Sequence, residues 1–110
     1  ETYAEAIDFI NRDAPAHATV WVEAWSLDVP QTYQMTRRAR ADLVFGSDAG
    51  GSAWGIPTPT FAQYTANYVV VTYRFAGWNG ATWALVAGNR VPVYVIQRDG
   101  VPLLEVYRLP

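Results

Sequence analysis

Residues 91–109, VPVYVIQRDGVPLLEVYRL, decide the fold. Two runs rich in β-branched and aromatic residues flank Asp99-Gly100. That pair suits a two-residue hairpin turn, because both central positions need positive φ. With these two residues as the loop, Arg98 faces Val101, Val95 faces Leu104 and Val93 faces Val106. Facing residues share a side of the sheet, so Val93, Val95, Leu104 and Val106 form an apolar face. Tyr94, Ile96, Leu103, Glu105 and Tyr107 form a mixed one. Pro102 has no N–H for a second neighbour, which predicts residues 101–109 at the sheet edge and residues 91–97 inside it.

Upstream, Tyr3, Ala6, Ile7 and Ile10 follow the i, i+3, i+4, i+7 pattern of an amphipathic helix. Thr2 and Glu5 fit a capping box, and Pro15 ends the helix because it pushes Ala14 out of the α region. Residues 18–25, ATVWVEAW, alternate as a first strand. A short helix is predicted within 26–40, with Pro30 near its start, and a buried strand over 41–45. Residues 46–59, with four glycines and two prolines, read as a loop. A short helix follows over 60–66, and YVVVTY, residues 68–73, reads as a strand buried on both faces. Another loop holds Trp78 and an Asn79-Gly80 turn. One helical turn over 82–87, capped by Thr82 and stopped at Gly88, leads into the hairpin.

This order predicts an α/β fold, a small Rossmann-like three-layer sandwich. Its sheet of about five strands is partly parallel and ends in an antiparallel C-terminal hairpin. The expected strand order is 2-1-3 followed by the hairpin. A chain of 110 residues is expected to be one domain, and 51% hydrophobic residues are enough for a real core. The net charge of −2 gives no reason to expect a nucleic-acid partner, and all eight basic residues are arginine. Without cysteine, disulfides and thiolate metal sites are excluded. No apolar run approaches the ~18 residues of a membrane helix.

No stretch carries a complete catalytic motif. The 46–55 glycines match neither dinucleotide nor P-loop spacing, and lysine is absent. His17 is the lone histidine, Ser26, Ser47 and Ser52 lack a base partner, and Asp28, Asp42 and Asp48 are dispersed. No catalytic residue, metal or other cofactor is therefore expected. The candidate ligand-binding residues are Glu23, Trp25, Trp54 and Trp78. Glu23 lies between Trp21 and Trp25 on one strand face, where a carboxylate can hydrogen-bond a sugar stacked on the indoles. Desolvation there would raise its pKa. Hydrolysis of a glycoside needs a second carboxylate, and the sequence nominates none. Trp54 and Trp78 lie in loops. They mark a glycan platform, a partner interface or a membrane contact, or else fold back over the sheet.

Three stretches also carry a family resemblance. YAEAIDFINRDAPAHATVWV (residues 3–22), TANYVVVTYR (65–74) and PVYVIQRDGVPLLEVYRL (92–109) resemble the opening helix–strand unit, third strand and closing hairpin of one domain. That domain is the soluble C-terminal, extracytoplasmic portion of bacterial membrane glycosyltransferases related to dolichyl-phosphate-mannose–protein mannosyltransferases and aminoarabinose transferases. Residues 37–59 match nothing in that pattern. The resemblance implies a polytopic parent that transfers a sugar from a polyprenyl-phosphate donor on the extracytoplasmic side. Its catalytic acids lie in a loop near the parent's start, which no position here matches. This domain would be an accessory cap that aids acceptor recognition, with the membrane-embedded part of its own chain and a glycan or lipid-linked sugar acceptor as partners. The opening at Glu1 without methionine fits a piece of a longer protein. Two other readings remain open: a freestanding glycan- or nucleotide-binding module using Trp25, Trp54 or Trp78, and an interaction domain that pairs through the hairpin edge.

Overall fold

The computed structural model describes residues 2–23, 28–47, 61–73 and 78–110. Trp25 and Trp54 lie outside this set, as does most of the 46–59 loop. The elements are α1 (Thr2–Asp13), β1 (Thr19–Val22), α2 (Asp28–Met35), β2 (Val44–Gly46), a 3-10 turn (Gln63–Thr65), β3 (Tyr68–Thr72), α3 (Gly80–Ala87), β4 (Tyr94–Arg98) and β5 (Val101–Arg108). They build a mixed α/β fold around one five-stranded sheet of order β2-β1-β3-β5-β4. β2, β1 and β3 are mutually parallel, and β5 and β4 run antiparallel to their neighbours.

The 2-1-3 order and the Asp99-Gly100 turn match expectation. Asp99 (φ 53°) and Gly100 (φ 78°) both take the left-handed backbone that a tight hairpin needs. The hairpin differs from expectation in two respects. A bulge between Ile96 and Gln97 shifts the ladder, so Ile96 faces Leu104, Val95 faces Glu105 and Tyr94 faces Val106. One residue of slip exchanges the faces. The buried set is Ile96, Leu104 and Val106, with Tyr94 half-buried beside them, and Val95 turns to the side of Glu105. The edge is also reversed: β5 lies inside the sheet and β4 outside. The absent N–H of Pro102 is harmless there, because β5 pairs with β3 only from Leu104 to Arg108. Pro102 lies past the end of that ladder.

α1 and α2 cover one face of the sheet. Ile7 and Ile10 of α1 meet Val20, Val22, Val70, Leu104 and Val106, all with no exposed surface, and Val29 and Tyr33 of α2 join them. Each such side chain stabilises the fold by about 1.5–3 kcal/mol relative to an exposed one. Phe9 stacks on Tyr94 with ring centroids 4.7 Å apart. The rim of this layer is pinned by charge: Glu5 to Arg98 at 2.7 Å, Asp8 to Arg38 at 3.0 Å, and Asp13 to both Arg108 and the Tyr68 hydroxyl. Arg40 holds Asp42 and donates to the Asn11, Ala14 and Pro15 carbonyls, which closes the carboxyl end of α1.

α2 ends earlier than the sequence suggests. Arg37 adopts φ 63°, its N–H returns to the Gln34 carbonyl, and that of Arg38 to the Tyr33 carbonyl. This is a Schellman stop built on arginine where glycine is the usual residue. β2 is an edge strand among the described residues, with Val44 partly exposed rather than buried. Gly46 lets Phe61 seat against it, since a Cβ there would lie 2.7 Å from the Phe61 ring. α3 packs Leu85 and Val86 on the opposite face, beside Val69, Val71 and Tyr107. Asn79 caps it, accepting at 2.8 Å from the Thr82 N–H, so Thr82 is the capped residue rather than the cap.

Candidate functional site

The order 2-1-3 makes the chain leave β1 towards β2 and return across β1 to β3. In open α/β sheets ligands gather outside the carboxyl ends of strands at such a reversal. Glu23 directly follows β1 there. Its N–H donates to the Val70 carbonyl at 2.9 Å, and the residue is fully buried. The register that sets Trp21 beside Val69 and Val22 beside Val70 continues to place Glu23 beside Val71, which pairs in turn with Glu105. The two carboxylates thus flank one strand on the α3 face, with backbones about 10 Å apart at the usual strand spacing.

Glu105 is the second acid that sequence reading did not find, because the bulged register was needed to turn it to this face. The Tyr107 hydroxyl donates to its Oε1 at 2.7 Å, and Tyr73 hydrogen-bonds it as well. Burial first, and then this carboxylate, push the Tyr73 hydroxyl up to about 12 and carry Tyr107 in the same direction. Val71, with no exposed surface, fills the space between Glu23 and Glu105. A hydrolytic pair needs a substrate bond and usually a water in that space. The arrangement is suited to fixing groups by hydrogen bonds, not to acid–base cleavage.

The four candidate residues divide. Trp25 and Trp54 lie outside the described residues. Glu23 is enclosed. Trp78 has folded back: it is 8% exposed, and its Nε1 donates to the Thr72 carbonyl at 2.6 Å. Its ring meets Tyr73 edge-on at 5.4 Å and Trp83 at 4.7 Å. Trp83 is 48% exposed and forms the outer step of this aromatic stair. Sequence reading passed over Trp83 because an indole inside ATWALVA looks like helix core. The Asn79 cap sets the phase of α3 and turns it outward.

Thr72, whose carbonyl holds Trp78, turns its buried side chain to the α1 face with Leu104, and its hydroxyl has no hydrogen-bond partner among the described residues. His17 and Asp42 belong to the scaffold: the His17 N–H donates to Asp42 Oδ2 at 2.8 Å, and the Arg40 guanidinium holds the Asp42 carboxyl well below the usual range. Among the described residues no group of three or more potential ligands is placed to hold a metal ion, and no helix is long and apolar enough to cross a membrane. Comparison with protein-family models, with curated protein sequences and with solved structures gave no match.

Proposed function

We propose that the chain is a recognition domain without catalytic machinery of its own. In this reading it is the accessory extracytoplasmic domain of a polytopic membrane glycosyltransferase that uses a polyprenyl-phosphate sugar donor. It sits against the membrane-embedded part of the same parent chain and aids recognition of a glycan or lipid-linked acceptor. The supporting observation is how the three family-like stretches meet. Residues 3–22 supply α1 and β1, 65–74 supply β3, and 92–109 supply the hairpin. Asp13 ties all three together by accepting from Tyr68 of β3 and Arg108 of β5. The stretches that resemble the family therefore form one packed unit, while residues 37–47, from the part that does not, supply the β2 side.

The gene upstream of Glu1 tests this reading. Several hydrophobic segments, each of about 20 residues, are expected there. A parent without them overturns it.

A freestanding glycan- or nucleotide-binding module is the second reading, favoured by the half-exposed Trp83 set edge-on against Trp78 beside the strand ends. Tryptophan emission titrated with a panel of sugars and nucleotides tests this second reading. A saturable change that Trp83→Ala abolishes supports the module, and a flat response across the panel removes it.

A further inference from the structure

A second site lies at the opposite end of β3 from Glu23. A cavity of about 260 Å³ opens between α3, the 3-10 turn and the sheet. Val69, Leu85 and Leu109 make its apolar floor, and Ala81 and Ala84 make one thin wall. A slot of this kind between a helix and a sheet ordinarily closes, because unfilled apolar surface forfeits dispersion contacts. Here a buried polar clamp holds the walls apart. Asn79, while capping α3 through its Oδ1, donates its Nδ2 to Gln63 Oε1 at 2.8 Å. Gln63 donates its Nε2 to Thr82 Oγ1, also at 2.8 Å. Gln63 is 6% exposed and Thr82 not at all, so the clamp fixes the 3-10 turn against the first turn of α3. Both ends of the Gln63 amide are engaged in it. The interior therefore offers a ligand hydrocarbon contact and little else.

The mouth is different. Arg90, just beyond α3, lines the cavity opening. Arg38, Arg40, Arg98 and Arg108 are each paired with a carboxylate. Among the described residues Arg90 has no ion pair or hydrogen bond, and none of those lining the slot is a carboxylate. Tyr64, 79% exposed, adds a hydroxyl donor beside it. An apolar interior with one unanswered cation at its mouth is complementary to an amphipathic anion. A single planar guanidinium matches the two oxygens of a carboxylate. At about 30 Å³ per water-sized group, the volume accommodates roughly nine such groups, the size of a medium-chain acid.

We propose that this slot binds a small amphipathic carboxylate, its hydrocarbon between Val69, Leu85 and Leu109 and its head on Arg90. The proposal does not depend on the glycosyltransferase reading, since it rests on the lining of the slot and on Arg90 alone.

The test titrates the full chain with octanoate, following methyl resonances and heat. Octanol, octylammonium and octyl phosphate serve as comparators. Octanoate is expected to shift the methyls of Val69, Leu85 and Leu109 saturably. Arg90→Gln should weaken it about tenfold or more, the scale of one charge-assisted hydrogen-bond pair, and octanol should bind the parent with that same deficit. Ala84→Phe, which fills the slot from an exposed helix position, should abolish binding with the thermal midpoint kept. Equal binding of octanol and octanoate, an unchanged affinity in Arg90→Gln, or shifts outside the slot overturn the proposal. So does the absence of binding by any probe. Tighter binding of octyl phosphate overturns the choice of carboxylate.

Discussion

The two faces of the sheet are built on different terms. Under α1 the interior is almost wholly apolar, and charges appear only at its rim, where Glu5, Asp8 and Asp13 each hold an arginine. Under α3 the molecule buries Glu23, Gln63 and Thr82, steps three edge-on aromatic rings outward, and leaves a cavity. Apolar packing is stabilising wherever volumes match, whereas a buried polar group costs stability unless it is hydrogen-bonded. A fold that needed only stability would have packed both faces like the first. The α1 face fixes the architecture, and the α3 face carries what the architecture holds in place.

The largest test of that contrast is truncation. Leu104→Ala and Ile10→Ala, both on the α1 face, should each cost about 2–5 kcal/mol in denaturant unfolding, since both side chains are fully buried and the gap closes only in part. Leu85→Ala, beside an existing cavity and already partly exposed, should cost less than about 1 kcal/mol. Equal losses on the two faces would break the comparison. Asn79→Ala comes next, at about 1–2 kcal/mol, because it removes the α3 cap and one leg of the Gln63 clamp together. Asn79→Asp keeps the cap's acceptor but not the donor to Gln63. It should recover roughly half of that loss, and full recovery would show that the clamp contributes nothing.

How much of this was legible in the sequence follows the same division. The α1 face was readable because period and burial agree: Ala6, Ile7 and Ile10 announce a helix face, and Val20, Val22 and Val69–Val71 announce strands. The hairpin turn was readable because Asp99-Gly100 has a local physical requirement. Its register was not, since the bulge at Ile96/Gln97 is imposed by β5 pairing on both sides and leaves no local mark. The end of α2 was overrun because arginine, not glycine, takes the left-handed position. The α3-face site was the least legible part. Glu23 could be named from its strand, but Glu105 joins it only through a three-strand register. Trp83 and Arg90 matter only once the phase and the end of α3 are known.

Smaller effects come from pH, with carboxylates and phenols acting on opposite limbs. Asp13 titrates below its ordinary 3.8, first because Arg108 hydrogen-bonds it and then because Tyr68 does, against the opposing effect of burial. A lowered folded pKa gives stability that is present above the ordinary value and lost as pH falls through the lowered one. Thermal midpoints should therefore drop as pH falls from about 4, and Asp13→Asn, less stable at neutral pH, should show a shallower acid slope.

Tyr73 and Tyr107 act in the opposite sense. Their pKa values are raised, so their contribution is complete below the ordinary 10.0 and is lost as pH climbs towards about 12. Tyr68, on the α1 face, is raised too, by burial and Asp13, but Arg108 beside it pulls the other way. Glu105→Gln isolates the α3-face pair. Without the carboxylate, the phenolates lose an adjacent negative charge, while burial still opposes their ionisation. Tyrosinate absorbance should then rise at lower pH and the alkaline loss of stability should become smaller. An unchanged onset of tyrosinate absorbance would show that burial alone holds the two phenols up, and that Glu105 adds nothing to this face.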